Sequence, residues 1–160
     1  MKLTDKFVFF WGAEDVFSNF HYFPFEHQGV SFKWSEQAVM YRKAKLFGAH
    51  KIASKILEAN SPKECKSLGR SRQIPFNEEV WLKNRERIYK EVLKDKFSHP
   101  HAKIAILSTG NRMLVEASPY DKIWGIGLSE SHPDAENPEK WKGLNLLGKV
   151  LMEVRSELRQ

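Results

Sequence analysis

Two carboxylates in this chain keep company that ordinary surface acids do not. Glu36 lies in Phe32-Lys33-Trp34-Ser35-Glu36-Gln37-Ala38-Val39-Met40, between an aromatic approach and an apolar helical pattern. In a helix begun by Ser35, the residues Glu36, Met40, Lys43 and Phe47 share one face. A solvated face does not mix a carboxylate, a lysine and two large apolar groups in this way. A pocket floor does, because a carboxyl in apolar surroundings is held near neutrality and can exchange protons. The plain alternative is an acid in a first helical turn, favoured there by the helix dipole. The second acid, Asp121, stands in Ser118-Pro119-Tyr120-Asp121-Lys122-Ile123-Trp124-Gly125-Ile126-Gly127. Pro119, Gly125 and Gly127 call for tightly turned backbone, so Asp121 and Trp124 are presented from a loop. The plain alternative here is a loop that caps a core with one tryptophan.

Two acids, tryptophans and basic residues are the parts that cleavage of a glycosidic bond needs. One carboxyl activates water or moves a proton, and another stabilises positive charge at the anomeric carbon. Aromatic faces hold a base by stacking, and arginine or lysine holds a phosphate. Gly143 and Asn145 suit a helix N-terminus whose exposed amides would welcome an anion. Other constellations fail on inspection. Proline separates His99 from His101 and the remaining histidines are scattered, so no metal site is expected. Gly125-Ile126-Gly127 lacks the later glycine and preceding strand of a dinucleotide fingerprint. There is no glycine-rich loop with a following lysine and no nucleophile-elbow serine. No cofactor is expected.

Several elements must position these groups. Phe7–Trp11 and Gly29–Phe32 read as short strands, rich in aromatic and β-branched residues. The aromatic-dense stretch from Phe17 to Phe25 either wraps a pocket or covers the core. Helices are expected from Ser35 to Phe47 and from Ala49 to Ala59. Ser61-Pro62-Lys63-Glu64 is a capping box with proline at the first helical position, opening a short helix that Gly69 ends. Asn77 can cap a long helix from Glu78 to Phe97, with Trp81, Ile88 and Val92 at helical spacing. Pro100 starts another, stopped at Gly110. Met113–Glu116 is a candidate strand, Ser129–Trp141 an exposed loop, and the last helix runs from Asn145 to Leu158. With 160 residues, 41% of them hydrophobic, this is one domain, mainly helical, with minor strands.

The net charge of +6 fits a phosphorylated or nucleic-acid substrate. Its basic residues are spread along the chain, which suits a small anionic ligand at least as well as a duplex. Cys65 is the single cysteine, so no intrachain disulfide forms, and burial is its expected role. Neither a signal peptide nor an apolar run long enough to cross a bilayer is expected, and a cytoplasmic location is.

The order of motifs adds a resemblance. Phe17-Ser18-Asn19-Phe20 is followed by Trp34-Ser35-Glu36 with Lys43-Ala44, Leu68-Gly69-Arg70, Trp81 and Lys96-Phe97. Then come Leu107-Ser108-Thr109-Gly110, Leu114-Val115-Glu116, Asp121 with Trp124-Gly125-Ile126-Gly127, Gly143-Leu144-Asn145-Leu146-Leu147-Gly148 and Leu151-Met152-Glu153-Val154-Arg155. In this order, from about Phe9 to Leu158, the chain resembles the NADAR family, also described as YbiA-like. The resemblance implies a single multihelical domain over residues 1–160 with a few short strands near the N-terminus. It also implies an N-glycosidase that hydrolyses the bond between a ribose anomeric carbon and nitrogen. Two substrate classes go with it: ADP-ribose on guanine in DNA or RNA, and phosphoribosylated pyrimidine intermediates of riboflavin synthesis.

Carried over by motif, the key acid maps to Glu36, the tryptophan to Trp81 and the later acid to Asp121. Asn19, Lys43 and Arg70 match the early asparagine, the lysine and the Gly-Arg pair; Trp124, Gly125 and Asn145 complete the implied substrate contacts. Some relatives read Gly-Lys-Asn where this chain has Gly143-Leu144-Asn145, and the Ser129–Trp141 loop is longer than in shorter bacterial relatives. Glu36 is expected to orient or deprotonate water, and Asp121 to hold ribose hydroxyls. Rival readings are a non-catalytic ADP-ribose or nucleotide-binding module, and a nucleic-acid-binding protein using the basic helix around Lys83–Lys96.

Overall fold

In the computed structural model, which describes residues 1–160, the chain forms two compact units. One is discontinuous, built from residues 1–18 and 97–160; the other is the segment 19–96.

The discontinuous unit holds a three-stranded sheet of order β1-β2-β5, with β1 at Lys2–Leu3, β2 at Phe7–Phe10 and β5 at Met113–Glu116. β1 runs antiparallel to β2, while β2 and β5 are parallel, pairing Phe7 with Met113 and Phe10 with Glu116. All four residues of β2 are buried, so it reads as a continuous apolar run rather than an alternating one. Phe7, Phe9, Val115, Ala117, Ile126, Leu128 and Ala135 form one core cluster. Two helices complete the unit, α5 at Pro100–Leu107 and α6 at Leu146–Leu158. α6 buries Leu147, Val150, Leu151 and Val154, and Gly148 lets it approach β5 so closely that an added Cβ would strike the Leu114 carbonyl oxygen. The 129–141 segment is a run of turns closed by a short 3-10 helix, Pro138–Lys140; Trp141 Nε1 donates to the Ala135 carbonyl at 2.8 Å, and Ala135 is fully buried.

The 19–96 unit opens with a hairpin of β3 (Phe25–His27) and β4 (Val30–Phe32). Its two-residue turn, Gln28-Gly29, has φ of 52° and 79°, the left-handed pair that matches the twist of hairpin strands. β3 begins at Phe25, the last residue of the aromatic-dense stretch, and is a strand that the sequence pattern does not predict. Four helices follow: α1 at Ser35–Leu46, α2 at His50–Leu57, α3 at Pro62–Leu68 and α4 at Glu78–Phe97. The α3 box forms as the sequence predicts, with the Glu64 amide donating to Ser61 Oγ at 3.1 Å. The Glu64 carboxylate reaches one residue further back than expected and accepts the Asn60 amide at 2.9 Å. Asn77 Oδ1 caps α4 by accepting the Val80 amide at 3.0 Å. Gly69 has helical backbone with φ −65°; the need there is space, since a Cβ would run into the Met40 side chain. Mainly helical architecture with few short strands is therefore the observed fold.

Candidate functional site

Glu36 occupies the first turn of α1 and is only 6% exposed. Its backbone amide donates to the Asn19 carbonyl at 3.0 Å. Ser35 begins the helix as expected, with Trp34 at the cap position, and its hydroxyl donates to Asn19 Oδ1 at 2.7 Å. Gln37 locks the same turn from the other side, accepting the Lys33 amide and donating to the Ile56 carbonyl. Each of these bonds uses a group that a free helix start would leave to water, so Glu36 stands on a fixed platform.

One helical face onward, Lys43 lies between two aromatic rings. Its ammonium is 5.3 Å from the Trp81 ring centroid and 4.9 Å from that of Phe76. Burial is the main cause that pushes the Lys43 ammonium below the usual lysine range. The Arg70 guanidinium adds to the fall by repulsion, and the Glu36 carboxylate works against it. Arg70 is exposed beyond Gly69, and its side chain makes no hydrogen bond to the carbonyls of α3. Trp81 is 9% exposed, so its ring both fills the core and faces the lysine. Asn19, Glu36, Lys43, Arg70 and Trp81 thus belong to one compact unit, and electrostatic or hydrogen-bonded contacts link them.

The sequence context of Lys96, part of the Lys96-Phe97 motif, predicts no role for it in the site. Lys96 is fully buried near the end of α4, and its ammonium donates to Ser35 Oγ at 3.3 Å. Removal from water pushes its pKa down to about 7. The chain of bonds runs Lys96 to Ser35 to Asn19, ending beside the Glu36 amide. A signal was present: Ile88, Val92 and Lys96 recur at four-residue spacing on the buried face of α4. Cys65 is buried as expected. Burial foremost, then the charges of Glu36 and Glu64, push its thiol up to about 12, which leaves it protonated and unreactive.

Asp121, Trp124, Gly125 and Asn145 belong to the other unit. Asp121 Oδ1 accepts the amides of Ile123 and Trp124 at 2.9 and 2.8 Å, so the acid shapes its own loop. Gly125 fits because a Cβ would press on the Asp121 and Glu116 carbonyls, at 2.9 and 3.0 Å. The anion site expected at the start of α6 does not form. The amides of Leu144, Asn145, Leu146 and Leu147 donate to the carbonyls of Lys122, Gly125, Ile123 and Trp124. Asn145, at φ 52°, makes no cap with its side chain; that amide bridges to β5 through the Glu116 amide and the Leu114 carbonyl. These bonds hold the Asp121 loop against α6 and occupy four of the amides that an anion would need there.

No group of three or more His, Cys, Asp or Glu residues is placed to hold a metal ion. No helix is long and apolar enough to cross a membrane.

Residues 9–159 match the NADAR domain family. The chain belongs to the NADAR family. This NADAR chain is 41% identical to N-glycosidase R617 of Acanthamoeba polyphaga mimivirus, across 98% of its own length and 99% of that protein. It is 34% identical to the chloroplastic riboflavin biosynthesis protein PYRR of Zea mays, over 92% of this chain and 24% of that one. Among solved structures, the NMR structure of E. coli YbiA superposes with a TM-score of 0.79 at 28% identity, covering 99% of this NADAR chain and 88% of YbiA.

Proposed function

We infer that this protein is an N-glycosidase, a hydrolase of the bond between ribose C1′ and the nitrogen of a base or amine. The observation that carries the reading is Glu36: a buried carboxylate on a braced helix start, one helix face from a lysine held between aromatic rings. Membership of a family with named N-glycosidases supports it. Residues 1–160 act as one NADAR domain in the cytoplasm, on a small nucleotide-related substrate or on ADP-ribosylated nucleic acid. No cofactor is needed.

In this reading Glu36 takes a proton from water as the water oxygen bonds to C1′. The C1′–N bond breaks, its electron pair stays on the base nitrogen, and that nitrogen takes up a proton from solvent as the base leaves. The transition state resembles an oxocarbenium ion, so a nearby carboxylate lowers its energy. Lys43 and Arg70 are the cations for a substrate phosphate, and Trp81 and Trp124 offer faces for base or ribose. Asp121 holds ribose hydroxyls with Oδ2, its Oδ1 being committed to the loop amides. Gly125 and Asn145 serve by keeping that loop in shape. Lys96 positions Ser35 and Asn19 beneath Glu36.

The test is product analysis by liquid chromatography and mass spectrometry on two substrates, guanine-ADP-ribosylated DNA and ribosylaminopyrimidine phosphate. Wild type is expected to release ADP-ribose or ribose 5-phosphate, and Glu36→Ala to do so about 100-fold more slowly or worse. Turnover by Glu36→Ala near the wild-type rate, with its circular dichroism intact, removes Glu36 from the chemistry. Tight binding of ADP-ribose with no release from either substrate favours the non-catalytic binding module.

A further inference from the structure

The unit that carries Asp121 also displays rings that its core does not use. Tyr120, the residue before Asp121, is 81% exposed, and Trp11, just beyond β2, is 51% exposed. Their ring centroids are 6.0 Å apart at an interplanar angle of 57°. Ile123 on the same loop and Leu144 on the segment bonded to it are also exposed, at 45% and 63%, the Leu144 amide donating to the Lys122 carbonyl. Single exposed apolar residues need no explanation, but two large exposed rings held against each other do.

Two further features indicate what the patch meets. The backbone under both rings is pinned: the Trp11 amide donates to Asp15 Oδ2 at 3.0 Å, and those of Tyr120 and Asp121 donate to Ser118 Oγ at 3.2 and 3.0 Å. Rings on fixed backbone lose little entropy on contact, which suits recognition. The flanking charge is positive. A Cβ on Gly127 would lie 3.2 Å from Lys122 Cγ and 3.1 Å from Lys142 Cβ, so both lysine stems leave from the same flank. Among the nearby acids, Asp15 is tied to the Trp11 amide and the chain's amino group and Asp121 Oδ1 to its loop amides, while exposed Glu14 beside Gly12 sets one negative charge against the two lysines.

We propose that Trp11 and Tyr120, with Lys122 and Lys142, form a stacking platform for single-stranded nucleic acid. Exposed rings flanked by cations match the π-faces and phosphates of an unpaired strand, whereas a duplex hides those faces. The proposal rests on the N-glycosidase reading for its catalytic meaning, and on the patch alone for binding.

The experiment measures fluorescence anisotropy with an unmodified, labelled 12-nucleotide single strand and the same sequence as a duplex. Wild type is expected to bind the single strand more tightly. Trp11→Ala with Tyr120→Ala should weaken that binding by about tenfold or more, without changing the melting temperature. Lys122→Gln with Lys142→Gln should reduce the slope of log affinity against log salt by about 1.4. Equal binding by wild type and the ring variant, tighter binding of the duplex, or no binding by wild type overturns the platform. Turnover of ribosylaminopyrimidine phosphate separates the two claims. Release that depends on Glu36 but not on the rings, with no strand binding, leaves the glycosidase and removes the platform. Ring-dependent strand binding without release from any substrate keeps the platform and removes the glycosidase.

Discussion

Lys96 gives stability a dependence on pH whose sign and size follow from its burial. An ordinary lysine titrates at 10.5, and in the folded protein burial brings Lys96 down to about 7. Between those values the unfolded chain holds a proton that the folded chain has released, so unfolding free energy rises with pH. Below 7 both states are protonated and the charge is buried at full cost. A one-proton difference is worth about 1.4 kcal/mol per pH unit. With half the proton still bound at pH 7, the gain from pH 7 to 9 is about 2 kcal/mol. Complete burial of the side chain means that solvent screening does not shrink this figure. Lys43 is also pushed down and contributes with the same sign, while Cys65, pushed up to about 12, acts oppositely once the unfolded thiol ionises near 9. A comparison of wild type with Lys96→Met across pH 7–9 isolates Lys96. Urea denaturation at pH 7, 8 and 9 should show the wild-type free energy climbing by about 2 kcal/mol more than that of the methionine variant. Equal slopes in the two proteins would refute the assignment of a near-neutral buried lysine to this position.

Two other expectations concern close packing and reactivity. Gly148→Ala sets a Cβ on the Leu114 carbonyl oxygen, which cannot move without breaking β5, and should cost about 3 kcal/mol. Gly69→Ala meets only the flexible Met40 side chain and should cost about 1 kcal/mol, most of it absent in a Met40→Ala background. Thermal melts that rank the two glycines the other way would overturn this account of α6 packing. Cys65 should resist a thiol reagent at pH 8 in the folded protein and react fully in denaturant; fast labelling of the native chain would contradict its buried, protonated state.

Much of this protein was legible along the chain because it depends on neighbours three or four residues apart. The Ser61–Glu64 box, the Asn77 cap and the Glu36–Met40–Lys43 face are all of that kind, and the structure forms each of them. The order of motifs also pointed to the family that residues 9–159 match. What escaped the reading depends on partners far away in sequence. A lysine at position 96 looks like any cation on a basic helix until packing shows it fully buried, 61 residues from the serine it bonds. Asn145 read as a cap with free amides beside it, but loop carbonyls from residues 122–125 occupy those donors and β5 takes its side chain. Gly69 ends α3 as read, but the steric reason for glycine there, the Met40 side chain, comes from another helix. Local propensity is written in short spacings of the chain; desolvation and steric fit arise only when distant segments pack, so only the tertiary structure decided them.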